Sequence, residues 1–211
     1  ELLSTILGQL ISVGAIALII VFQPELRRFL QVIGMRQKHF NFITRIFSTG
    51  DDTVQTNVVP IVTACREMSE TKTGALIVIG QQSDLRLIAE GGIALDAKVS
   101  TSLLKNIFFK NAPLHDGAVL IEGDRIVAAK CILPVTQSDV PKSYGTRHRA
   151  AIGMSEISDA IIIVVSEETG GISIAQGGEL RRDIDPVRLQ QTLQRYLTIN
   201  TRKRSKKEVA E

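Results

Sequence analysis

Tryptophan is absent from this 211-residue chain, and aromatic residues of all kinds make up only 4% of it. An aromatic platform for stacking single-stranded nucleic acid therefore has almost no material to draw on. Cysteine is equally scarce. Cys65 and Cys131 are too few for a disulfide framework, and nothing demands an oxidising compartment. The chain has no GxxxxGK[ST] phosphate loop and no GxGxxG turn. It also lacks HExxH and paired CxxC motifs, so a zinc site has no support. No internal repeat with a period of about 20 to 50 residues stands out. The net charge of +3 is too small to imply nucleic acid by itself.

What remains is the composition of a globular protein, with 44% hydrophobic and 22% charged residues. The length allows one domain with an appendage and a substantial core. The appendage is at the start. Leu2 to Phe22 runs 21 residues without a charge. A helix of that length rises about 30 Å, the thickness of a bilayer core. Ser4, Thr5, Gln9 and Ser12 dilute its first half, so a buried soluble helix or a signal-peptide core competes with a membrane span. No small-residue cleavage site follows. Instead Gln23-Pro24-Glu25-Leu26-Arg27-Arg28-Phe29-Leu30 begins a basic stretch that Arg36, Lys38 and Arg45 continue. Positive charge just after an apolar span would place the following domain in the cytoplasm. The chain begins with Glu1 rather than Met, and we expect it to be a fragment of something longer.

We divide the chain into a transmembrane-type helix at 1–22, a basic juxtamembrane helix and connector at 23–52, a folded domain at 53–200 and a basic, disordered tail at 201–211. Of the net +3, residues 1–22 contribute −1, residues 23–50 contribute +4 and residues 200–211 contribute +3, which leaves −3 for residues 51–199. The folded domain is mildly acidic between two basic flanks, which would suit an anionic membrane leaflet.

The folded part reads as alternating α and β. Val54, Val58, Val59, Ile61, Val62, Cys65 and Met68 recur at helical spacing, and Pro60 argues that the regular helix starts near it or is kinked there. Gly74 to Gly80 is an apolar run between glycines, a buried strand. Leu85 to Ala89 is read as a strand that could pair with it. Val99 to Phe109 carries a helical stripe. Ala118 to Ile121 and Ile126 to Leu133 flank Gly123-Asp124 and predict a hairpin. Arg147 to Ser155 reads as helix, Ala160 to Val165 as a second apolar strand and Ile172 to Ala175 as a third. Asp185-Pro186 is a helix cap followed by a first-turn proline. The expected fold class is α/β, a single domain with a central mixed β-sheet flanked by helices on both faces.

Few residues could carry chemistry. His115 and Asp116 stand in Pro113-Leu114-His115-Asp116-Gly117-Ala118, at the mouth of an apolar strand. An imidazole beside a carboxylate can hold a divalent cation or take a proton. Gly117 and Ala118 leave room for a ligand against the backbone. Asp-Gly is also a common turn dipeptide, and the residues alone leave both readings open. The second candidate is Gly145-Thr146-Arg147-His148-Arg149-Ala150-Ala151. Backbone N–H groups at a helix start attract anions, and arginine forks grip phosphate. The alternative is a solvated basic face, although cations at a helix N-terminus are unfavourable without an anion to meet. The third is Ser166-Glu167-Glu168-Thr169-Gly170, where carboxylates close a strand and either support a cation or form a polar turn.

The first two motifs, in this order and about 30 residues apart, resemble the diadenylate cyclase (DAC-domain) family. Gly74 to Ile79, Leu95-Asp96-Ala97-Lys98-Val99-Ser100 and Ser166 to Gly171 share the resemblance, which covers roughly residues 53 to 200. The apolar helix and basic stretch before them look like that family's membrane-anchored branch. The resemblance implies that two ATP molecules condense to cyclic di-AMP and two pyrophosphates at a face-to-face homodimer. It also implies a bacterial inner-membrane location with the catalytic domain in the cytoplasm. By carry-over, Asp116 would bind the metal and activate the 3′-hydroxyl, with His115 and Glu168 as further metal ligands. Arg147, His148 and Arg149 would hold the triphosphate and steady the leaving pyrophosphate. Gly117, Ala118, Leu133, Gly145, Thr146 and Ser166 would line the ATP. The cation would be Mn²⁺ or Mg²⁺. Ile132 stands where several members place a tyrosine against adenine, so the base would rest on aliphatic surface here. A regulatory protein partner is compatible with such an enzyme, and nucleic acid is not expected. The competing function is a catalytically silent nucleotide-binding regulatory domain on the same anchor.

Overall fold

The computed structural model describes residues 57–208. The transmembrane-type segment and the basic connector, 1–52, lie outside the described residues. Among the described residues no helix is long and apolar enough to cross a membrane.

Helix α1 (Val58–Glu70) starts where Asn57 caps it, its side-chain oxygen accepting a bond from the Val59 N–H at 3.1 Å. Pro60 sits in its first turn, where a missing N–H costs nothing. Strand β1 (Ala75–Ile79) follows, then a one-turn helix α2 (Arg86–Glu90) and strand β2 (Ile93–Lys98). Helix α3 (Thr101–Ile107) is capped by Ser100, which accepts from the Leu103 N–H at 3.2 Å. Strands β3 (Ala118–Glu122) and β4 (Arg125–Cys131) form the hairpin around Gly123-Asp124, and Gly123 takes a positive φ of 59° as such a turn requires. Helix α4 (Thr146–Ile157), strands β5 (Ile161–Val165), β6 (Ile172–Gln176) and β7 (Glu179–Arg181), and helix α5 (Pro186–Glu208) complete the domain. Asp185 caps α5, accepting from the N–H groups of Val187 and Arg188 at 3.0 and 2.9 Å.

The seven strands form one mixed sheet in the order β2-β4-β3-β1-β5-β6-β7. Only β1 and β3 run parallel; every other neighbouring pair is antiparallel. Alternate residues of the central strands face opposite layers. Ile77, Ile79, Val119, Ile121, Ile161 and Ile163 pack under α1, α3 and α5. Val78, Leu120, Ile162 and Val164 pack on the other face with Ala151 and Met154 of α4. This is the expected α/β architecture, with helices on both faces. It also explains the uninterrupted apolar runs, because β1 and β5 have no solvent side.

One local expectation needs correction, and one strand had no counterpart in the sequence reading. Leu85 to Ala89 is not a strand: Leu85 precedes α2 and is buried, while Arg86 and Leu87 face solvent. A short apolar run carries no period long enough to separate helix from strand. Strand β2 was not foreseen because it is a sheet edge. It has no buried residue, and its register with β4 slips between Ala94 and Ala97, where Asp96 takes a positive φ of 45°. The last helix continues to Glu208, into the basic segment. Lys and Arg are good helix formers, and cations are favourable near a helix C-terminus.

Candidate active site

Sheet register gathers two of the three candidate segments. Ala75 of β1 lies opposite Val165 of β5, and Ile77 lies beside Val119 of the parallel β3. The starts of β1 and β3 therefore share one end of the sheet with the finish of β5. Cys131 opposite Ala118 brings the finish of β4 to the same end. Gly74, the His115–Gly117 segment, Ile132-Leu133 and Ser166–Glu168 thus lie at neighbouring strand ends.

Gly117 is required by its surroundings. Its φ is +134°, and a Cβ there would stand 2.7 Å from the Lys130 carbonyl carbon. Only glycine lets the chain turn this closely against β4 before Ala118 enters the core. The turn leaves Asp116 exposed and His115 half-buried. His115 Nδ1 lies 2.6 Å from the Ala112 carbonyl oxygen. A carbonyl only accepts, so Nδ1 carries the proton. In the neutral ring Nε2 is then the lone-pair nitrogen, the arrangement that metal-binding histidines use.

The start of α4 reaches this end through Arg147. Its Nη1 donates to Glu167 Oε2 at 2.8 Å. Glu167, not Glu168, is the partner; Glu168 is exposed on the same turn. Ser166 shapes that turn: its hydroxyl accepts from the Thr169 N–H at 3.3 Å, and its backbone N–H donates to Gly171 O at 3.0 Å. Helix α1 grips the turn from below, with Ser69 Oγ donating to Gly170 O at 2.6 Å.

The three basic residues of α4 do not share one direction, since successive helix residues point about 100° apart. Arg149 is exposed, and Arg147 is partly covered. His148 is buried, its ring 5.9 Å from the Tyr144 ring. Burial first, and Arg182 second, lower the His148 pKa from its ordinary value, with Asp183 opposing. It is a neutral side chain at pH 7 that packs beneath the helix start. Gly145 caps α4 without a side chain, and Thr146 is exposed beside it.

The segment between β4 and α4 is also fixed. Leu133 is buried, whereas Ile132 is 80% exposed. Thr136 N–H donates to Arg149 O at 3.1 Å, and Thr136 Oγ1 donates to Glu156 Oε1 at 2.6 Å. A Cβ on Gly153 would come within 2.4 Å of Pro134 O, so the strap lies directly on α4.

Among the described residues no three His, Cys, Asp or Glu side chains converge as a ready cation site. His115 and Asp116 supply a nitrogen and a carboxylate suited to Mn²⁺ or Mg²⁺. Glu168 does not join them in a preformed group. The third motif includes Glu167 but gives no sign of its contact with Arg147, nor does any motif point to Tyr144 or to Arg182, whose guanidinium lies 5.3 Å from the Tyr144 ring centre. No pattern in the sequence signals a contact between residues that far apart.

The family model described as "DisA bacterial checkpoint controller nucleotide-binding" (DAC) matches residues 62–180. The cyclic di-AMP synthase CdaA of Bacillus subtilis is 42% identical over 201 residues, 95% of this chain and 72% of that protein. A diadenylate cyclase of Listeria monocytogenes is 44% identical over 200 residues, 94% of this chain and 72% of that one. Among solved structures, DacA from Staphylococcus aureus superposes with a TM-score of 0.64 at 45% identity, covering 65% of this chain and 93% of that one. A hypothetical membrane-spanning protein from Bacillus cereus superposes with a TM-score of 0.60 at 39% identity, covering 79% of this chain and 80% of that one.

Proposed function

The chain belongs to the diadenylate cyclase (DAC) family, and from that premise we propose how its own residues work. It is a nucleotidyltransferase that makes cyclic di-AMP from two molecules of ATP. The observation that carries the reading is the meeting of the Asp116 turn, the Arg147 helix start and the Glu167 turn at one end of β3, β1 and β5.

Asp116, exposed beside the Gly117 turn, accepts the proton of the attacking 3′-hydroxyl. Arg147 and Arg149, with Thr146 and the free N–H groups that Gly145 leaves at the start of α4, hold the triphosphate. Charge that develops on the departing pyrophosphate meets the same guanidinium groups. His148 supports them from below rather than contacting phosphate. The nucleoside rests on Gly117, Ala118 and Leu133, with the exposed Ile132 giving adenine an aliphatic surface. Asp116 and His115, with Glu168 as a further ligand, would hold a divalent cation, which would supply positive charge against the phosphates. The domain is acidic overall, so this local charge has to attract ATP in place of a general basic field.

One site holds one ATP, and the product needs two joined head to tail. Two copies therefore face each other with the same patch, each 3′-hydroxyl attacking the α-phosphate held opposite. Facing copies turn a dilute encounter into a positioned one. The apolar segment 2–22 anchors the domain at the bacterial inner membrane, with the basic flanks on its cytoplasmic side.

The test is incubation of the chain with ATP and Mn²⁺ or Mg²⁺, followed by chromatography of the nucleotides. Cyclic di-AMP and pyrophosphate in a one-to-two ratio are expected. Bound but unconverted ATP, across both metals and all protein concentrations, would instead mark a silent nucleotide-binding domain.

A further inference from the structure

Arg147 does not wait for its phosphate unoccupied. Its Nη1 is held by Glu167 at 2.8 Å, with the arginine side chain 21% exposed and the glutamate 58% exposed. Among the described residues Arg147 makes no other side-chain hydrogen bond. One corner of a five-donor fork is thus engaged, and the rest remains for an anion. The backbone that carries this carboxylate is itself fixed. The 166–170 turn closes through Gly170 N–H to Ser166 O at 2.9 Å and is pinned to α1 by Ser69. Gly170 cannot carry a side chain, because a Cβ would lie 2.5 Å from Ser69 O.

A third residue completes the arrangement. The pair lies directly over Gly74, at the start of β1. A Cβ on Gly74 would stand 2.8 Å from Glu167 Oε2 and 2.9 Å from Arg147 Nη1. Gly74 has no left-handed backbone that would explain it. The space above it is taken by the ion pair.

We propose that Glu167 is a positioning residue for phosphoryl transfer: seated over Gly74, it aims the Arg147 fork at the ATP phosphates. This rests on the cyclase reading and deepens it. A carboxylate beside a polyphosphate repels it in the ground state, so Glu167 contributes nothing to ATP affinity. Its contribution is orientation, realised where charge builds on the leaving group. The two effects have opposite signs, and that separates positioning from simple binding.

The experiment measures kcat, KM for ATP and equilibrium ATP binding for the unmodified chain, Glu167→Ala, Glu167→Gln and Gly74→Ala. Glu167→Ala should lower kcat on the order of tenfold while ATP binds as tightly or more tightly. Glu167→Gln keeps an acceptor oxygen for Nη1 and should recover most of that loss. Gly74→Ala meets only the far ends of two flexible side chains, so it should fold normally and reproduce the Glu167→Ala defect. Unchanged kcat in Glu167→Ala, or a defect confined to ATP affinity, overturns the positioning role and leaves the cyclase reading intact. Absence of cyclic di-AMP from the unmodified chain overturns the cyclase reading itself.

Discussion

The middle of the sheet and its functional end are built on opposite terms. In the middle, every residue of β1 and β5 is buried, and the side chains are almost all aliphatic. Each strand there is flanked by two others and covered by helices on both faces. At the end, Asp116, Arg149 and Glu168 are exposed, and Arg147 and Glu167 are held by a single contact. The middle is over-determined and carries stability. The end is sparsely held and carries chemistry. A substitution in one region should therefore be nearly silent in the measurement that reports on the other.

The sharpest separation should come from Asp116. Asp116→Asn is nearly isosteric at an exposed position, so the melting temperature should hardly move. Turnover should fall by about 10²- to 10⁴-fold, the usual worth of a positioned general base. Native turnover in that variant would remove Asp116 from the chemistry. The mirror experiment is Ile163→Ala on β5. Ile163 is fully buried, and the cavity should cost about 2–5 kcal/mol in denaturant unfolding. Activity per folded molecule should stay near native at a temperature where the variant is folded.

Gly117 lies where the two regions meet, so it should break the separation. Gly117→Ala forces a left-handed backbone on alanine and drives its methyl into the Lys130 backbone. A loss of about 1–3 kcal/mol is expected, together with loss of turnover, because Asp116 shifts with its neighbour. Calorimetry and the product assay on one sample would show both. The smallest effect should be that of His148. Its folded-state pKa lies below the ordinary 6.5, so the unfolded chain takes up the proton more readily. Its contribution to stability is therefore intact above about pH 6.5 and is lost as pH falls through that value toward the depressed one. Melting curves between pH 7.5 and 5.5 should show a modest decline that is flatter in His148→Gln. Equal slopes in the two proteins would assign the decline elsewhere.

The same contrast explains what the sequence made legible. Interior strands must be aliphatic throughout, so Ala160 to Val165 announces itself as β5. The hairpin was visible because its turn needs Gly123, and α5 because Asp185 and Pro186 mark its start. Edges obey no such rule. Strand β2 pairs on one side only and tolerates Asp96 and Lys98, so its pattern is indistinct. For the site, the motifs identified the segments but not the contacts. Whether Glu167 or Glu168 meets Arg147 depends on how the 166–170 turn closes, which a local pattern does not encode. The inward direction of His148 was within reach. Three consecutive helix residues cannot all face one ligand, and the middle one here points into the protein.

In the proposed mechanism each copy is only half of a reaction centre. The most direct test is specific activity measured across protein concentration, with the molecular mass determined by sedimentation at each point. Turnover per chain should track the fraction of dimer and vanish with dilution into monomer. Full specific activity from a sample that sediments entirely as monomer would contradict it.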